Sequence, residues 1–313
     1  MKKIGFIIDP LENFDCEAET TFFLMKEVCH QKAECFAIEL KDLLLEKNRL
    51  FANTKQILVT KKQKRFSYKI LKERTIDLST LDVIFLRKDP PVDTTFFDHL
   101  SLLEMISSKT FFINHPSGIK HVNEKLITLE FPDLVPPTLV SQSKNVLAKF
   151  IKKHRQAILK PLNLSGGQEI IKITSHDPSL LSLLEIQTKK ETRFVMAQKF
   201  IPQAKSGDKR ILILDGEILG AFLRRPSQKD FRGNLHSGAK ITKTTVTKRD
   251  EKILETVLPK LKALGLFFAG IDIIGPYLTE INVTSPMGIR EINALFSSQC
   301  EKKVINWVQR QLP

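Results

Sequence analysis

The stretch GIDIIGPYLTEINVTSPMGIRE, residues 270–291, decides how the rest of this chain is read. Two short apolar runs flank Gly275-Pro276, the pattern of a β-hairpin with a tight loop. A three-residue loop, Gly275 to Tyr277, places Asp272 directly opposite Glu280. Side chains alternate along a strand, so Asp272, Glu280 and Asn282 share one face while Ile271, Ile273, Ile281 and Val283 share the other. Like charges directly opposite across a strand pair repel unless something sits between them. Two carboxylates and an amide form an all-oxygen donor set, which suits Mg²⁺. Two plainer readings fit the same spacing: a solvated acidic face, or carboxylates paired with lysines.

A chain of 313 residues has room for about two domains. Its 42% apolar and 27% charged residues exclude a disordered chain, and the alternation of helix-like and strand-like segments favours an α/β or α+β fold. MKKIGFIIDP is too short in apolar residues for a signal peptide and reads as a first buried strand. No apolar run approaches the ~20 residues of a membrane span. Cys16, Cys29, Cys35 and Cys300 form no CxxC pair and no metal-ligand spacing, which fits a reducing, cytoplasmic setting. A net charge of +14 points to anionic partners without choosing among nucleic acid, lipid and phosphorylated small molecules. The densest basic run, Lys61 to Arg65, lacks interleaved aromatics and reads as a solvated loop or an edge-strand guard.

Strands are expected at Lys3–Asp9, Glu34–Leu40 and Leu81–Leu86, with an antiparallel excursion over Leu50–Val59 and Phe66–Ile70. The run LDVIFL ends in Arg87-Lys88-Asp89-Pro90-Pro91, and ligands gather at the carboxyl ends of such strands. Asp93 or Thr94 caps a helix to about Ser107, and a helix over Val122–Phe131 carries Lys125. Lys160 interrupts the apolar strand AILKPL, where a lysine either faces solvent or reaches toward an anion. Gly166-Gly167 follows, a loop able to bring backbone N–H groups close to phosphate, or a simple hairpin. Asp215-Gly216 marks a further hairpin whose open end gathers Arg210, Arg224 and Arg225, suited to carboxylate or phosphate. Residues 226–245 show no periodicity and read as a lid or binding loop.

Taken in order, RKDPP (87–91), NEKL (123–126), ILKPL (158–162), GG (166–167), MAQ (196–198), DKR (208–210), RGNL (232–235), GIDIIG and LTEINVTSP resemble the bacterial glutathione synthetases, members of the ATP-grasp ligases. The resemblance covers nearly the whole chain. It implies an ATP-grasp fold with an N-terminal Rossmann-like domain (1–121), a central small subdomain (122–200) and a C-terminal subdomain (201–313) with its lid at 226–245. It implies ligation of γ-L-glutamyl-L-cysteine to glycine through an acyl phosphate, with ATP lying between two antiparallel sheets. The implied cofactors are ATP and Mg²⁺ or Mn²⁺, and the implied assembly is a homotetramer with no nucleic-acid or membrane partner.

By the same resemblance, Asp272, Glu280 and Asn282 hold the metal. Lys125, Lys160, Gly166, Gly167 and Asn282 surround the phosphates, Gln198, Lys199, Phe200 and Ile201 read the adenine, and Asp208 meets the ribose. Arg210, Arg225 and Arg232 stabilise the transferring phosphoryl group. Arg87, Asn234, Ser285 and Arg290 contact the peptide substrate. The chain departs from the family pattern at Asn163-Leu164, at Ala239-Lys240 and at Met287-Gly288, the last beside the implied peptide site. A related ligase with another acceptor, or a basic nucleic-acid-binding protein, are the competing readings.

Overall fold

The computed structural model describes residues 2–62, 65–164, 166–227 and 239–312. Three sheets organise it. The first contains β1 (Lys3–Ile8), β2 (Glu34–Glu46), β3 (Arg49–Lys62), β4 (Arg65–Asp77), β5 (Val83–Arg87) and β6 (Phe111–Ile113), in the order β4-β3-β2-β1-β5-β6. β1 pairs in parallel with β2 and β5, and β5 with β6. β1 and β5 are buried on both faces: Phe6 and Phe85 pack with Leu24, Met25 and Val28 of α1 (Thr20–His30). On the other face, Ile7, Ile84 and Leu86 pack with Phe96, Leu100 and Leu103 of α2 (Thr94–Glu104). The antiparallel excursion is longer than the sequence suggests, because β2 runs on to Glu46 and pairs with β3 beyond a register shift.

The α3 helix (Pro116–His121) stops before Lys125, and the helix expected over Val122–Phe131 is only a 3₁₀ turn, Leu126–Glu130. The Asn123 side chain explains this. Its Oδ1 accepts the N–H groups of Lys125 and Leu126, each at 3.1 Å, a local bond that competes with helix propagation.

The second sheet holds β7 (Thr138–Ser141), β8 (Gln156–Pro161), β9 (Ile171–Thr174) and β10 (Val195–Lys199) in the order β7-β10-β8-β9. The helices α4 (Lys144–His154) and α5 (Leu180–Gln187) cover one face through Leu147, Ile151, Leu180 and Leu184. The third sheet is antiparallel: β11 (Asp208–Leu214), β12 (Glu217–Arg225), β13 (Lys240–Lys243), β14 (Phe268–Ile274) and β15 (Tyr277–Asn282), ordered β13-β12-β11-β14-β15. β13 is ordered structure inside the stretch read as a continuous loop, paired to β12 from Phe222 to Arg225. The helix α6 (Lys248–Ala263) starts with a capping box of Thr247 and Asp250 and packs Ile253, Val257 and Leu261 against Ile211, Ile271 and Ile281. The opposite face takes α7 (Ile289–Phe296) and α8 (Cys300–Gln311) with the buried Trp307.

The hairpin of residues 270–291 keeps the expected opposition of Asp272 and Glu280, by a different route. Ile274 pairs with Tyr277, so the loop is the two residues Gly275-Pro276, and a register shift places Thr279 as an extra residue in β15. The two departures cancel in register. Thr279 Oγ1 donates to the Asp272 carbonyl at 3.1 Å, which pins the bulge.

Candidate active site

A cleft of about 540 Å³ opens between the second and third sheets. The third sheet builds its floor with one face of alternating residues. At one end that face is apolar, Leu212, Leu214 and Phe268 lying under α7 and α8. At the other end the same face carries Asp208, Arg210, Arg224, Asp272, Glu280 and Asn282 and lines the cleft.

Arg210 lies along Asp272, with Nε donating to Oδ1 at 2.5 Å and Nη2 to Oδ2 at 2.9 Å. Its Nη1 reaches the Met287 carbonyl at 3.1 Å. Arg224 Nη2 bridges Asp208 Oδ2 at 2.6 Å and Asp272 Oδ2 at 2.9 Å. Gly270 makes room for this: a Cβ there would stand 3.1 Å from Arg210 Cδ and Nη1. Burial works to raise the Asp272 carboxyl, but Arg210 and then Arg224 outweigh it and hold the group down at about 2. Asp208 goes the other way: burial lifts it to about 6, against the attraction of Arg224. Buried Arg224 Nε and Asp208 Oδ1 have no hydrogen-bond partner among the described residues. Polar atoms left so are costly unless a ligand completes them.

The facing wall supplies cations. Lys160 Nζ donates to Gln198 Oε1 at 2.9 Å, and Gln198 is itself anchored by Thr138 Oγ1 at 3.1 Å. Burial lowers the Lys160 ammonium from its ordinary value. Lys125 Nζ pairs with Glu280 Oε1 at 3.0 Å and donates to the Leu164 carbonyl at 2.6 Å, tying the glycine loop to β15. Gly166 and Gly167 take positive φ of 62° and 77° and line the cleft. Phe200 and Ile201 add apolar wall beside Ile158 and Ile274, while the N–H groups of Lys199 and Phe200 are committed to the carbonyls of Pro137 and Gln156. Those two donors are therefore not open to an adenine.

Arg225 and Arg87 depart from expectation. Arg225 is exposed, on the side of β12 opposite Arg224, and the cleft is lined by Arg224 instead. Arg87 is buried, donating from Nε to Thr21 Oγ1 at 3.0 Å and from Nη2 to the Pro286 carbonyl at 3.0 Å, so it braces the 285–288 turn rather than standing free for a substrate. Arg232 and Asn234 lie outside the described residues. Asp272, read as a metal ligand, is already engaged by two arginines, and among the described residues no group of three His, Cys, Asp or Glu stands ready for a metal. Ser285 and Arg290 do line the cleft, Arg290 bonding to Glu291 at 3.1 Å.

Three further residues belong to the site. Arg224, gathered with Arg210 and Arg225 at the hairpin's open end in the sequence, is left out of the site assigned by resemblance although it opposes Asp208 across the hairpin. Glu124 is beyond the reach of sequence reasoning: its Oε1 accepts the N–H groups of Val283 and Thr284 at 2.7 and 2.9 Å, fixing the chain just past β15 from a distant part of the sequence. Glu19, at the start of α1, lines the cleft as well. Burial, then the charge of Asp89, lifts its carboxyl from 4.5 to about 7. The folded state thus holds this proton more tightly than the unfolded chain. Its stabilising effect is full below about 4.5 and is lost as pH rises through about 7. Thermal melts of Glu19→Gln should accordingly gain on wild type between pH 4.5 and 8; a constant difference across that window contradicts the shift.

The family follows from comparison. The family model described as "Prokaryotic glutathione synthetase, ATP-grasp domain" matches residues 124–297, and that of the N-terminal domain matches residues 2–120. The glutathione synthetase of Synechocystis sp. is 39% identical over 318 residues, covering 99% of both chains. That of Yersinia pestis is 41% identical, covering 95% of this chain and 93% of its own.

The chain belongs to the prokaryotic glutathione synthetases.

Membership makes it an ATP-dependent ligase, and ATP with a divalent cation is what such a ligase uses. Solved structures agree on the fold alone: D-cycloserine synthetase superposes with a TM-score of 0.66 at 13% identity, covering 98% of this chain and 99% of its own. A Chryseobacterium gregarium ATP-grasp ligase gives 0.62 at 15%, covering 100% and 98%. Among the described residues no helix is long and apolar enough to cross a membrane. The donor set fits a divalent cation in chemistry. Asn282 spends its amide nitrogen on the Gly270 carbonyl and Asp272 Oδ2, which leaves its oxygen for another partner, and Glu280 spends one oxygen on Lys125.

Proposed function

We propose that the chain joins γ-L-glutamyl-L-cysteine to glycine with cleavage of ATP, and that the floor of the cleft is where the phosphoryl group moves. The observation that carries this is the meeting of Asp272, Glu280 and Asn282 with Arg210 and Arg224 on one sheet face, opposite Lys125 and Lys160. A triphosphate approaching a carboxylate must bring like charges together, and fixed cations remove that barrier without reorganising at the moment of reaction.

Lys160 and Lys125 hold phosphate oxygens as point charges, and Gly166-Gly167 lets backbone approach them closely. Mg²⁺ or Mn²⁺, held by Glu280, Asn282 and Asp272, neutralises phosphate charge when bound. Arg210 and Arg224 exchange part of their hold on Asp272 for the transferring phosphoryl group and the acyl phosphate. The 226–245 stretch, with Arg232 and Asn234, keeps water from that intermediate. The neutral glycine amine then attacks the acyl carbon, inorganic phosphate leaves as the carbon–oxygen bond breaks, and the surplus amine proton passes to water or to the departing phosphate, so no side chain need act as base. Residues 1–121, 122–200 and 201–313 are the three functional units in this reading. It also makes the protein cytoplasmic and homo-oligomeric.

Coupled ADP release tests the reading directly. ADP should appear only with both γ-glutamylcysteine and glycine present, and turnover with alanine or serine but none with glycine would replace it by a ligase of other acceptor. Lys160→Met should raise the KM for ATP on the order of tenfold or more while moving the dipeptide KM far less, since one charge-assisted bond to phosphate is lost. Equal effects on both KM values would take Lys160 away from the phosphates.

A further inference from the structure

Cys29 and Cys35 have no familiar redox spacing in the sequence, yet the fold brings them together. Cys29 lies in the last turn of α1, and Cys35 is the second residue of β2. Lys32, at a φ of 58°, closes the helix in the left-handed conformation. The Ala33 N–H then donates to the Val28 carbonyl at 3.2 Å and folds the chain back onto the sheet. β3 links the two cysteines. Cys29 Sγ donates to the Ile57 carbonyl at 3.7 Å and accepts the Val59 N–H at 3.5 Å. Ile57 is also the residue paired directly with Cys35 across β2 and β3. Cys35 belongs to the core between α1 and the first sheet, and Cys29 packs against that core.

The two thiols differ as an attacking and a resolving cysteine differ. Cys29 is half-buried, while Cys35 is only 1% exposed. The Cys35 thiol donates to the Cys29 sulfur and is the largest influence holding Cys29 down from 9.0 to about 7. Burial of Cys29 opposes that effect, and the Val59 N–H adds to it. Cys35 itself is pushed well above its ordinary value, by burial first and then by Cys29. Cys16 and Cys300 are raised as well, in both cases chiefly by burial. Near neutral pH roughly half of Cys29 is therefore thiolate, the reactive form, against a few per cent of an unperturbed thiol.

We propose that Cys29 and Cys35 form a peroxide-sensitive dithiol, with Cys29 the attacking sulfur and Cys35 the resolving one. The Cys29 thiolate attacks one oxygen of hydrogen peroxide, the O–O bond breaks and hydroxide leaves, so that Cys29 becomes a sulfenic acid. The Cys35 sulfur then attacks the Cys29 sulfur. The S–O bond breaks, and the Cys35 proton leaves with the departing hydroxyl as water. The first hydroxide is neutralised by the proton Cys29 gave up. In sum two thiols are oxidised to one disulfide, and one peroxide is reduced to two waters. Peroxide fits better than a bulky oxidant, because Cys35 is enclosed and Cys29 opens to solvent only in part. Resolution by Cys35 keeps Cys29 from climbing to the sulfinic and sulfonic acids, which thiols do not reduce. The disulfide, by contrast, returns to the dithiol by exchange with excess thiol.

The test treats the reduced full-length protein with hydrogen peroxide, alkylates it under denaturing conditions and maps its peptides by mass spectrometry. The disulfide-linked peptides carrying Cys29 and Cys35 should form, and dithiothreitol should separate them again. Over the same exposure Cys29 should be consumed on the order of tenfold faster than Cys16 or Cys300, following its larger thiolate fraction. Cys35→Ala should instead leave Cys29 as a sulfenic acid that dimedone captures, and on longer exposure as a sulfinic acid. Cys29→Ala should leave Cys35 a thiol throughout. Wild type that accumulates Cys29 sulfinic acid while Cys35 stays a thiol overturns the resolving role. Oxidation of Cys16 or Cys300 ahead of Cys29 overturns the site, and so does oxidation of Cys35 at the wild-type rate in Cys29→Ala. If the Cys35→Ala protein does not fold, wild type alone decides, since failure of the linked peptides to form overturns the proposal.

Discussion

Asp272→Asn should lower turnover by about three orders of magnitude or more, and should lower stability as well. The first effect follows from position. Asp272 stands opposite Glu280 on the cleft floor and holds Arg210 and Arg224, the two arginines proposed to stabilise the transferring phosphoryl group. The second follows from burial, since the Asp272 side chain is 3% exposed and its partners Arg210 and Arg224 are 8% and 7% exposed. Removing one member of a buried ion pair leaves the others charged and desolvated, typically at a cost of about 3–5 kcal/mol. Asparagine also turns an N–H₂ toward a guanidinium that needs an acceptor. Arg224 keeps Asp208, which moderates the loss and argues for a folded variant with a lowered Tm. The measurements are ADP release and a thermal melt. A variant that melts like wild type and turns over like wild type would make the carboxylate a surface charge, against everything its burial implies. A lower Tm with full activity would make the network purely structural.

The polar face of the β14–β15 hairpin was legible because a period of two is insensitive to small errors nearby. Asp272, Glu280 and Asn282 fall on one face under a three-residue loop, and equally under a two-residue loop with a bulge at Thr279. The first sheet was legible for a similar reason: continuous apolar runs such as VIFL in β5 have few other places to go. Other features depended on information no local pattern carries. Lys125 was placed on a helix because the apolar spacing allows one, and a single Asn123 side chain diverts the backbone. Arg87 was read as a free cation at a strand end, whereas Thr21 and Pro286, 66 and 199 residues away in sequence, absorb it. Glu124 holds Val283 and Thr284 across 159 and 160 residues. Such bonds appear only once the three sheets are assembled. The family resemblance located the cleft correctly, but it could not say which side chains the chain's own packing had already claimed.

Arg224 and Arg225 make the most direct trial of that difference. Adjacent on β12, they leave the strand on opposite sides, so only one can serve the cleft. Arg224 opposes Asp208, which shares a face with Arg210, and its guanidinium bridges Asp208 and Asp272. Arg225 is exposed on the other side. Arg224→Ala should therefore lower kcat about 10²- to 10³-fold, the usual effect of losing one preorganised donor aimed at developing charge. Arg225→Ala should stay within a few-fold of wild type in kcat, because an exposed cation several bonds away is screened by water and salt. Arg224→Lys separates charge from shape. A lysine can pair with Asp208 but cannot bridge two carboxylates with a planar fork, so it should recover part of the stability and little of the rate. Single-turnover ADP formation under saturating ATP and donor reads this without interference from product release. The opposite order, with Arg225→Ala inactive and Arg224→Ala nearly normal, would mean that β12 turns its other face to the reaction in the working enzyme.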